Sequence, residues 1–292
     1  MLSDRLHPIL KWSEALETTA WSIIRSSSFV TAVERFNQTW TRVLEFLKEC
    51  DRASGILVEL GWPPHQDLGT GELAEIARIY DAEGPERTAR IVHEFMVTRY
   101  KGKALERILE RWGERRWLRP RFTILEQIVA GHRHGLYFLT VPVGFAQVEG
   151  IIAEGFGHQG IMKKEHYTNY LEQLLDEPRS EHRAMKNFLL NVVLQRFVWG
   201  MQEASEFSRH AILHGYDTRY GTEQNSLKVI LLFDYIQAKF GYVSVGKGRS
   251  YHDLSCPVVR GKPRRAVFES EEEAREAGRR PCGRCIRKAK AA

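Results

Sequence analysis

Ser208-Arg209-His210-Ala211-Ile212-Leu213-His214-Gly215 is the stretch on which the reading of this chain turns. It closes a segment running from about Ser180, in which Phe188, Leu189, Leu190, Val192, Val193, Leu194, Phe197, Val198, Trp199 and Met201 spread apolar residues over a wide arc. An arc that wide predicts a helix buried on several sides, or buried in a dimer, with Ser180 as its N-cap. A glycine directly past a helix supplies the left-handed residue that ends it. Arg209 to His214 are therefore expected as the last turns, with polar groups at the mouth of a buried helix. His210 and His214 are four apart and share a face. Arg209 and His214 are five apart and diverge by roughly 140° on an ideal helix. They converge only if the last turn unwinds at Gly215 or if two copies of the helix meet.

Outward from this stretch the pattern stays helical. Pro120 opens a helix over Arg121 to about His134, and Thr140-Val141-Pro142 starts another, with proline near the first turn. That second helix carries Glu149, read as a solvent-facing glutamate or as a partner of the polar cluster. Gly155-Phe156-Gly157-His158-Gln159-Gly160 is a glycine-rich loop without the Gly-Lys-Ser/Thr ending of a phosphate loop. Tyr216 to Thr222 is a loop, and Asn225 caps a final helix over Leu227 to Ala238.

Upstream, His7 to about Leu60 has apolar residues at helical spacing, from Ile9, Leu10, Trp12 and Leu16 through Trp21, Ile23 and Ile24 to Phe36, Trp40, Val43, Leu44 and Leu47. Trp40 and its aromatic neighbours are expected in the core, and Cys50 as a buried thiol. Gly61 to Gly69 is a loop by its proline and glycine content. Helix resumes from Gly71 to Trp117, interrupted at Gly84-Pro85. In that stretch Arg99, Lys101, Lys103, Arg107, Arg111, Arg115 and Arg116 interleave with Glu106, Glu110 and Glu114, a pattern of exposed ion pairs. No strand-like alternation precedes residue 241.

After Gly241 the character changes. Tyr242-Val243-Ser244-Val245 alternates like a strand, and Gly246-Lys247-Gly248 reads as a turn. His252-x3-Cys256 is then followed by Cys282-x2-Cys285. Three of the four cysteines of the chain fall here. One histidine and three cysteines make a complete tetrahedral zinc set. The spacing reads as metal before disulfide, so His252, Cys256, Cys282 and Cys285 are the candidate zinc ligands. Between them, Ala266-Val267-Phe268 is a short strand. Ser270-Glu271-Glu272-Glu273 is a capping box opening a helix that stops at Gly278.

The chain has 292 residues, 43% of them hydrophobic, with fourteen Phe and seven Trp, enough for a sizeable core. The fold class implied is mainly α: a multi-helix bundle with a small C-terminal α+β zinc-binding domain. The boundaries read as 1–118 for an N-terminal helical region, 119–241 for a helical bundle and 242–292 for the zinc-binding domain. No run of eighteen apolar residues and no signal-peptide layout is present, which points to a cytoplasmic protein with no membrane partner. Net charge is +6. Residues 241–292 hold 13 Lys and Arg against 6 Asp and Glu, whereas residues 1–240 hold 30 against 31. The basic excess of the tail attracts nucleic acid phosphates or is simply a solvated face.

Arginine and histidine together suit phosphodiester cleavage. The guanidinium is a permanent cation whose fork matches phosphate oxygens, and imidazole moves protons near neutral pH. RNA supplies its own nucleophile, the 2′-OH, so no metal is required. Arg209, a polar His210, three further residues and His214 resemble the Arg-x4-6-His signature of the HEPN superfamily, over about Pro120 to Gly241. The resemblance implies a small helical domain and, in many members, a metal-independent ribonuclease of toxin–antitoxin or anti-phage systems with a composite site in a homodimer. It would make Arg209 the phosphate-binding residue and His214 the general acid/base, with His210 in the polar position beside the arginine. RNA, a second copy and an antitoxin or defence partner are the partners it implies.

The C-terminal segment, about Gly248 to Lys288, resembles the zinc-binding domain of Ada-type DNA-repair proteins, from Tyr251-His252-x3-Cys256 to Arg280-Pro281-Cys282-x2-Cys285. Its first ligand is His252 where that family has cysteine, so a closed structural zinc site is implied rather than thiolate methyl transfer. The residues also allow a non-catalytic dimeric nucleic-acid-binding protein in which Arg209, His210 and His214 only cap and pair helix ends. A metal site on His210-x3-His214 with Asp217 lacks the glutamate of zinc peptidases, since Ala211 follows His210.

Overall fold

The computed structural model describes residues 27–175, 180–195, 198–200 and 206–286. The expected helix from His7 to Ile24, and Phe197 and Met201, lie outside the described residues. The chain is mainly α, with a small α+β part at its C-terminal end. It divides into two compact units after Cys50.

Helix α1 (Ser27–Glu59) begins in the first unit. Phe36 and Trp40 stack with ring centroids 6.3 Å apart. Both are exposed, as are Val43 and Leu44, so the expectation that Trp40 is core is corrected. Helical spacing identifies an apolar face but not what covers it, and among the described residues nothing does. Cys50 is buried as expected.

The second unit is a helical assembly with the small α+β segment at its end. Helix α2 (Thr70–Arg99) bends at Gly84, whose φ of 75° breaks the helix before Pro85. Helix α3 (Lys103–Glu114) and a 3-10 turn (Arg116–Arg121) lead into α4 (Phe122–Arg133). The arginines here do not pair with the interleaved glutamates as expected. Arg111 flanks the buried residues Ile108 and Trp112 and reaches inward instead. Its guanidinium donates to Asp67 (2.8 Å) and Asp234 (2.6 Å).

Helix α5 (Tyr137–Phe156) starts ahead of Thr140, so Pro142 lies inside it rather than at its start. Proline has no N–H for the carbonyl four residues back. That carbonyl, of Phe138, accepts instead from the Tyr220 hydroxyl at 3.2 Å. Helix α6 (Lys164–Leu174) follows.

The predicted long helix from Ser180 is not continuous. Helix α7 (Ser180–Phe188) widens into a π-turn over Leu189–Val193 and stops at Leu194. Phe188, Leu189, Val193 and Leu194 are buried, but Val198 and Trp199 are exposed. Among the described residues of the apolar run, the core part is the stretch that ends at Leu194.

Arg209 opens a separate five-residue helix, α8 (Arg209–Leu213). The Ser208 hydroxyl caps it by accepting from the Ala211 N–H, and Gly215 follows at φ 73°. Helix α9 (Glu223–Ala238) begins earlier than expected. Its N-cap is Thr222, whose hydroxyl accepts from the Asn225 N–H. The Asn225 side chain is turned outward from the cap, donating to the Glu206 and Tyr220 carbonyls.

Helix α9 is the centre of the unit, and every residue from Asn225 to Gln237 is buried. It packs on α5 so closely that a Cβ on Gly144 would stand 2.7 Å from the Val229 side chain. Such an approach requires glycine. A helix buried on all sides must satisfy its polar groups internally. Ser226 does so with His132 Nδ1 (2.9 Å) and Thr140 (2.7 Å).

Beyond α9, β1 (Tyr242–Val245) pairs antiparallel with β3 (Arg264–Phe268), Tyr242 opposite Phe268. The short strands β2 (Ser250–Tyr251) and β4 (Arg280–Pro281) pair parallel. Between β3 and β4 lies α10 (Glu271–Glu276), capped by Ser270 as the capping box predicts. This segment seats on the end of α5. A Cβ on Gly157, which already has φ 63°, would come 2.2 Å from the Lys262 carbonyl oxygen.

Candidate metal centre and the arginine–histidine cluster

The strands of the C-terminal segment carry its four candidate ligands to one point. His252 follows β2 and bridges to Val243 of β1, exchanging both backbone hydrogen bonds at 2.9 and 2.8 Å. Cys256 ends the next turn. The Cys282 N–H donates to the Tyr251 carbonyl at 3.0 Å, which ties the knuckle to β2. Within the knuckle the Arg284 N–H donates to Cys282 Sγ at 3.4 Å.

One ligand atom from each of His252, Cys256, Cys282 and Cys285 lies within 4.8 Å of all the others. A zinc ion with Zn–S bonds near 2.3 Å would hold sulfurs about 3.8 Å apart, so the cluster needs only slight contraction. His252, Cys256 and Cys282 are buried and Cys285 is half-buried.

The donors fit a metal on their own chemistry. Buried His252 Nδ1 has no hydrogen-bond partner, a costly state unless the nitrogen binds something. Burial, and then the charges of Lys262 and Arg264, push the His252 pKa down, which favours the neutral imidazole that ligates. Burial opposes charge on Cys282, but N–H donors from Arg284 and Cys285 outweigh it and lower its pKa. Burial and the neighbouring thiols push Cys285 up to about 12. Three thiols this close cannot all ionise without a cation among them, and a dication would reverse that balance.

His65, Asp67 and Asp234 form a second gathering of metal-competent groups, but its cation is already present. Asp234 accepts from Arg111, from Trp112 Nε1 at 2.7 Å and from Gln237 at 3.2 Å. His65 Nε2 lies 3.1 Å from the same carboxylate, and its Nδ1 lies 2.7 Å from the Tyr100 hydroxyl. Burial alone would raise the Asp234 pKa. The His65 and Arg111 partners overcome it and hold the carboxyl below the usual range. This is a closed structural network joining the loop after α1, α3 and α9.

The third cluster lies on α8. Arg209 is half-buried and pairs with Glu149 of α5, so Glu149 is a partner of the cluster and not a free solvent-facing glutamate. Burial lowers the Arg209 pKa, and its Nε has no acceptor. His210 and His214 lie ring over ring, 6.2 Å between centroids and 6° from parallel. Burial, followed by the charges of Arg209, His214 and Lys164, pushes the His210 pKa down. His214 is exposed at the helix end. No third metal-competent side chain joins the two histidines among the described residues.

No family model, curated protein or solved structure matches the chain. The fold and site define a class only: a mainly helical chain carrying a Cys3His cluster that could hold a metal ion. No helix among the described residues is long and apolar enough to cross a membrane. Lys228 and Asp234 are among the buried polar residues that the expectations from sequence did not single out. Their signal was present, since each is a charge inside the apolar run from Leu227 to Ile236.

Proposed function

We propose that this chain is an endoribonuclease of HEPN type whose C-terminal segment is a structural zinc module that holds nucleic acid or a partner. The observation that carries the reading is the Arg209 guanidinium, oriented by Glu149, on the same short helix as a histidine pair with one exposed ring. Arg209 would grip the scissile phosphate and offset the charge that develops on its oxygens. His214 would move the proton, and His210 would set its electrostatic surroundings. The 2′-oxygen attacks phosphorus, the bond to the 5′-oxygen breaks, and the products are a 2′,3′-cyclic phosphate and a 5′-hydroxyl. No metal takes part in that step. Zinc on His252, Cys256, Cys282 and Cys285 would supply fold stability, with the basic 241–292 segment facing nucleic acid.

A homodimer belongs to the same proposal. Leu136, Phe138, Leu139 and Val143 are exposed around the start of α5 and offer an apolar surface to a second copy. A toxin or anti-phage role, an antitoxin or defence partner and a cytoplasmic setting are part of the proposal and rest on the sequence reading alone.

The pairing of Arg209 with Glu149 also favours a second reading, a nucleic-acid-binding protein without catalysis, because that arginine already has its counter-charge. One experiment separates the two. Wild type, His214→Ala and Glu149→Gln are incubated with total RNA in magnesium-free buffer with EDTA, with bound zinc assayed before and after. Cleavage to cyclic-phosphate ends by wild type, reduced about 100-fold or more in His214→Ala, supports the nuclease. RNA binding with no cleavage, or equal cleavage by wild type and His214→Ala, overturns it.

A further inference from the structure

Lys228 occupies a place where a lysine is rarely tolerated. Its side chain is buried, with 8% of the residue exposed, inside the first turns of α9. The amine lies over two aromatic faces, 5.1 Å from the Trp62 ring centroid and 5.8 Å from that of Phe207. Among the described residues it has no hydrogen-bond acceptor and no ion-pair partner. Buried Lys239, the C-cap at the other end of this helix, shows the usual solution. Lys239 Nζ lies 3.1 Å from Glu269 and 2.9 Å from His182 Nε2.

The surroundings leave this amine room. It abuts Gly61, where even a Cβ would sit 3.5 Å from Nζ. Lys228 lines a recess of ≈ 240 Å³ with His93, Glu206, Asp217, Arg219 and Gln224. Both acids of that lining leave Lys228 unpaired. The Asp217 carboxylate is engaged by the Arg219 N–H at 2.8 Å. Glu206 acts on the lysine only through its charge at a distance. Burial is the larger influence and brings the ammonium down from the usual 10.5 to about 8. Near neutral pH a sizeable fraction is then the free amine, which has a lone pair and no partner.

We propose that Lys228 is a nucleophilic amine that binds a small aldehyde or ketone in this recess as a reversible imine. The nitrogen lone pair adds to the carbonyl carbon and the C–O π pair moves to oxygen. The carbinolamine then loses that oxygen as water with the two amine protons, leaving C=N. No oxidant or reductant is needed. Loss of charge on the nitrogen suits the buried place between Trp62 and Phe207, where an ammonium is penalised. A recess of ≈ 240 Å³ suits a small carbonyl compound. The acids and the arginine of the lining offset one another, so the recess is not a dedicated anion site.

The test uses the full chain at pH 7.0 with acetaldehyde and sodium cyanoborohydride, following N-ethylation of each lysine by quantitative peptide mass spectrometry. A group with a pKa of 8 is about 10% neutral there, against roughly 0.04% for a solvated lysine near 10.4. Lys228 is expected to be ethylated at least tenfold faster than exposed Lys101 and Lys247, with buried but paired Lys239 slow. Any smaller ratio overturns the proposal. Protection of Lys228 by inorganic phosphate without fast ethylation also overturns it and makes the recess an anion site. The readout is resolved by residue in wild type, so it does not depend on a Lys228 variant folding.

Discussion

Lys228 and Asp234 stand six residues apart on α9 and carry opposite charges into the same core, with opposite outcomes. Asp234 is fully enclosed but answered by Arg111, His65, Trp112 and Gln237. Lys228 is nearly as enclosed and, among the described residues, is answered by two aromatic faces and the more distant charge of Glu206. Its depressed pKa therefore has a stability consequence with a definite sign. Between about 8 and 10.5 the unfolded lysine holds a proton that the folded one has lost. Stability from this group thus rises with pH across that window, and its cost is fully present below 8. Replacing it, Lys228→Met, is expected to stabilise the fold by up to ~3 kcal/mol at pH 7. The difference from wild type should shrink to nothing by about pH 10.5. Urea unfolding of both proteins at several pH values measures it, and a pH-independent difference would refute the burial account.

At the scale of elements, α8 places the arginine–histidine cluster, and it does so from its own start rather than as the tail of α7. The Ser208 hydroxyl is the side-chain cap at that start among the described residues, and the helix is too short to be stable by propensity. Ser208→Ala is expected to cost about 1 kcal/mol and to loosen the Arg209 end more than the Gly215 end. Hydrogen exchange would report this as faster exchange at Ala211 and Ile212. Unchanged exchange there would mean that tertiary packing alone holds the helix. On α5, the Tyr220 bond to Phe138 is the comparable device, because it occupies the carbonyl that Pro142 cannot serve. One loop residue thereby couples the strip before α9 to the helix that carries Glu149.

For the molecule as a whole, the C-terminal segment is the part with the least secondary structure of its own and a His252, Cys256, Cys282 and Cys285 cluster that could hold a metal ion. Its sheets are two-stranded and its helix has six residues, too little to hold together alone. Structural zinc contributes roughly 10–16 kcal/mol in small modules. Purified protein is therefore expected to carry one zinc per chain by elemental analysis, and Cys256→Ser to carry none. In that variant, amides of 242–286 should lose protection while α9 keeps it. Equal metal content in wild type and Cys256→Ser would remove these four residues as the ligand set.

Several features were decided in the sequence itself. The break at Gly84-Pro85, the cap at Ser270, the strands at Tyr242 and Ala266 and the choice of His252, Cys256, Cys282 and Cys285 as candidate ligands are local or nearly local. Each depends on backbone chemistry within a few residues, or on donor types that have few other uses in such spacing. Other features required the tertiary structure. An apolar run says that a segment wants burial but not where its helix stops, so Ser180 to Gly215 read as one helix although the first helix stops at Leu194 and Ser208 caps a separate one at Arg209–Leu213. Nor can spacing within one segment show a partner on another. Glu149 reaching Arg209, Arg111 reaching Asp234, and Lys228 left alone between Trp62 and Phe207 are all products of chain crossing. Burial and charge pairing are properties of the packed assembly, and the order of residues along the chain does not contain them locally.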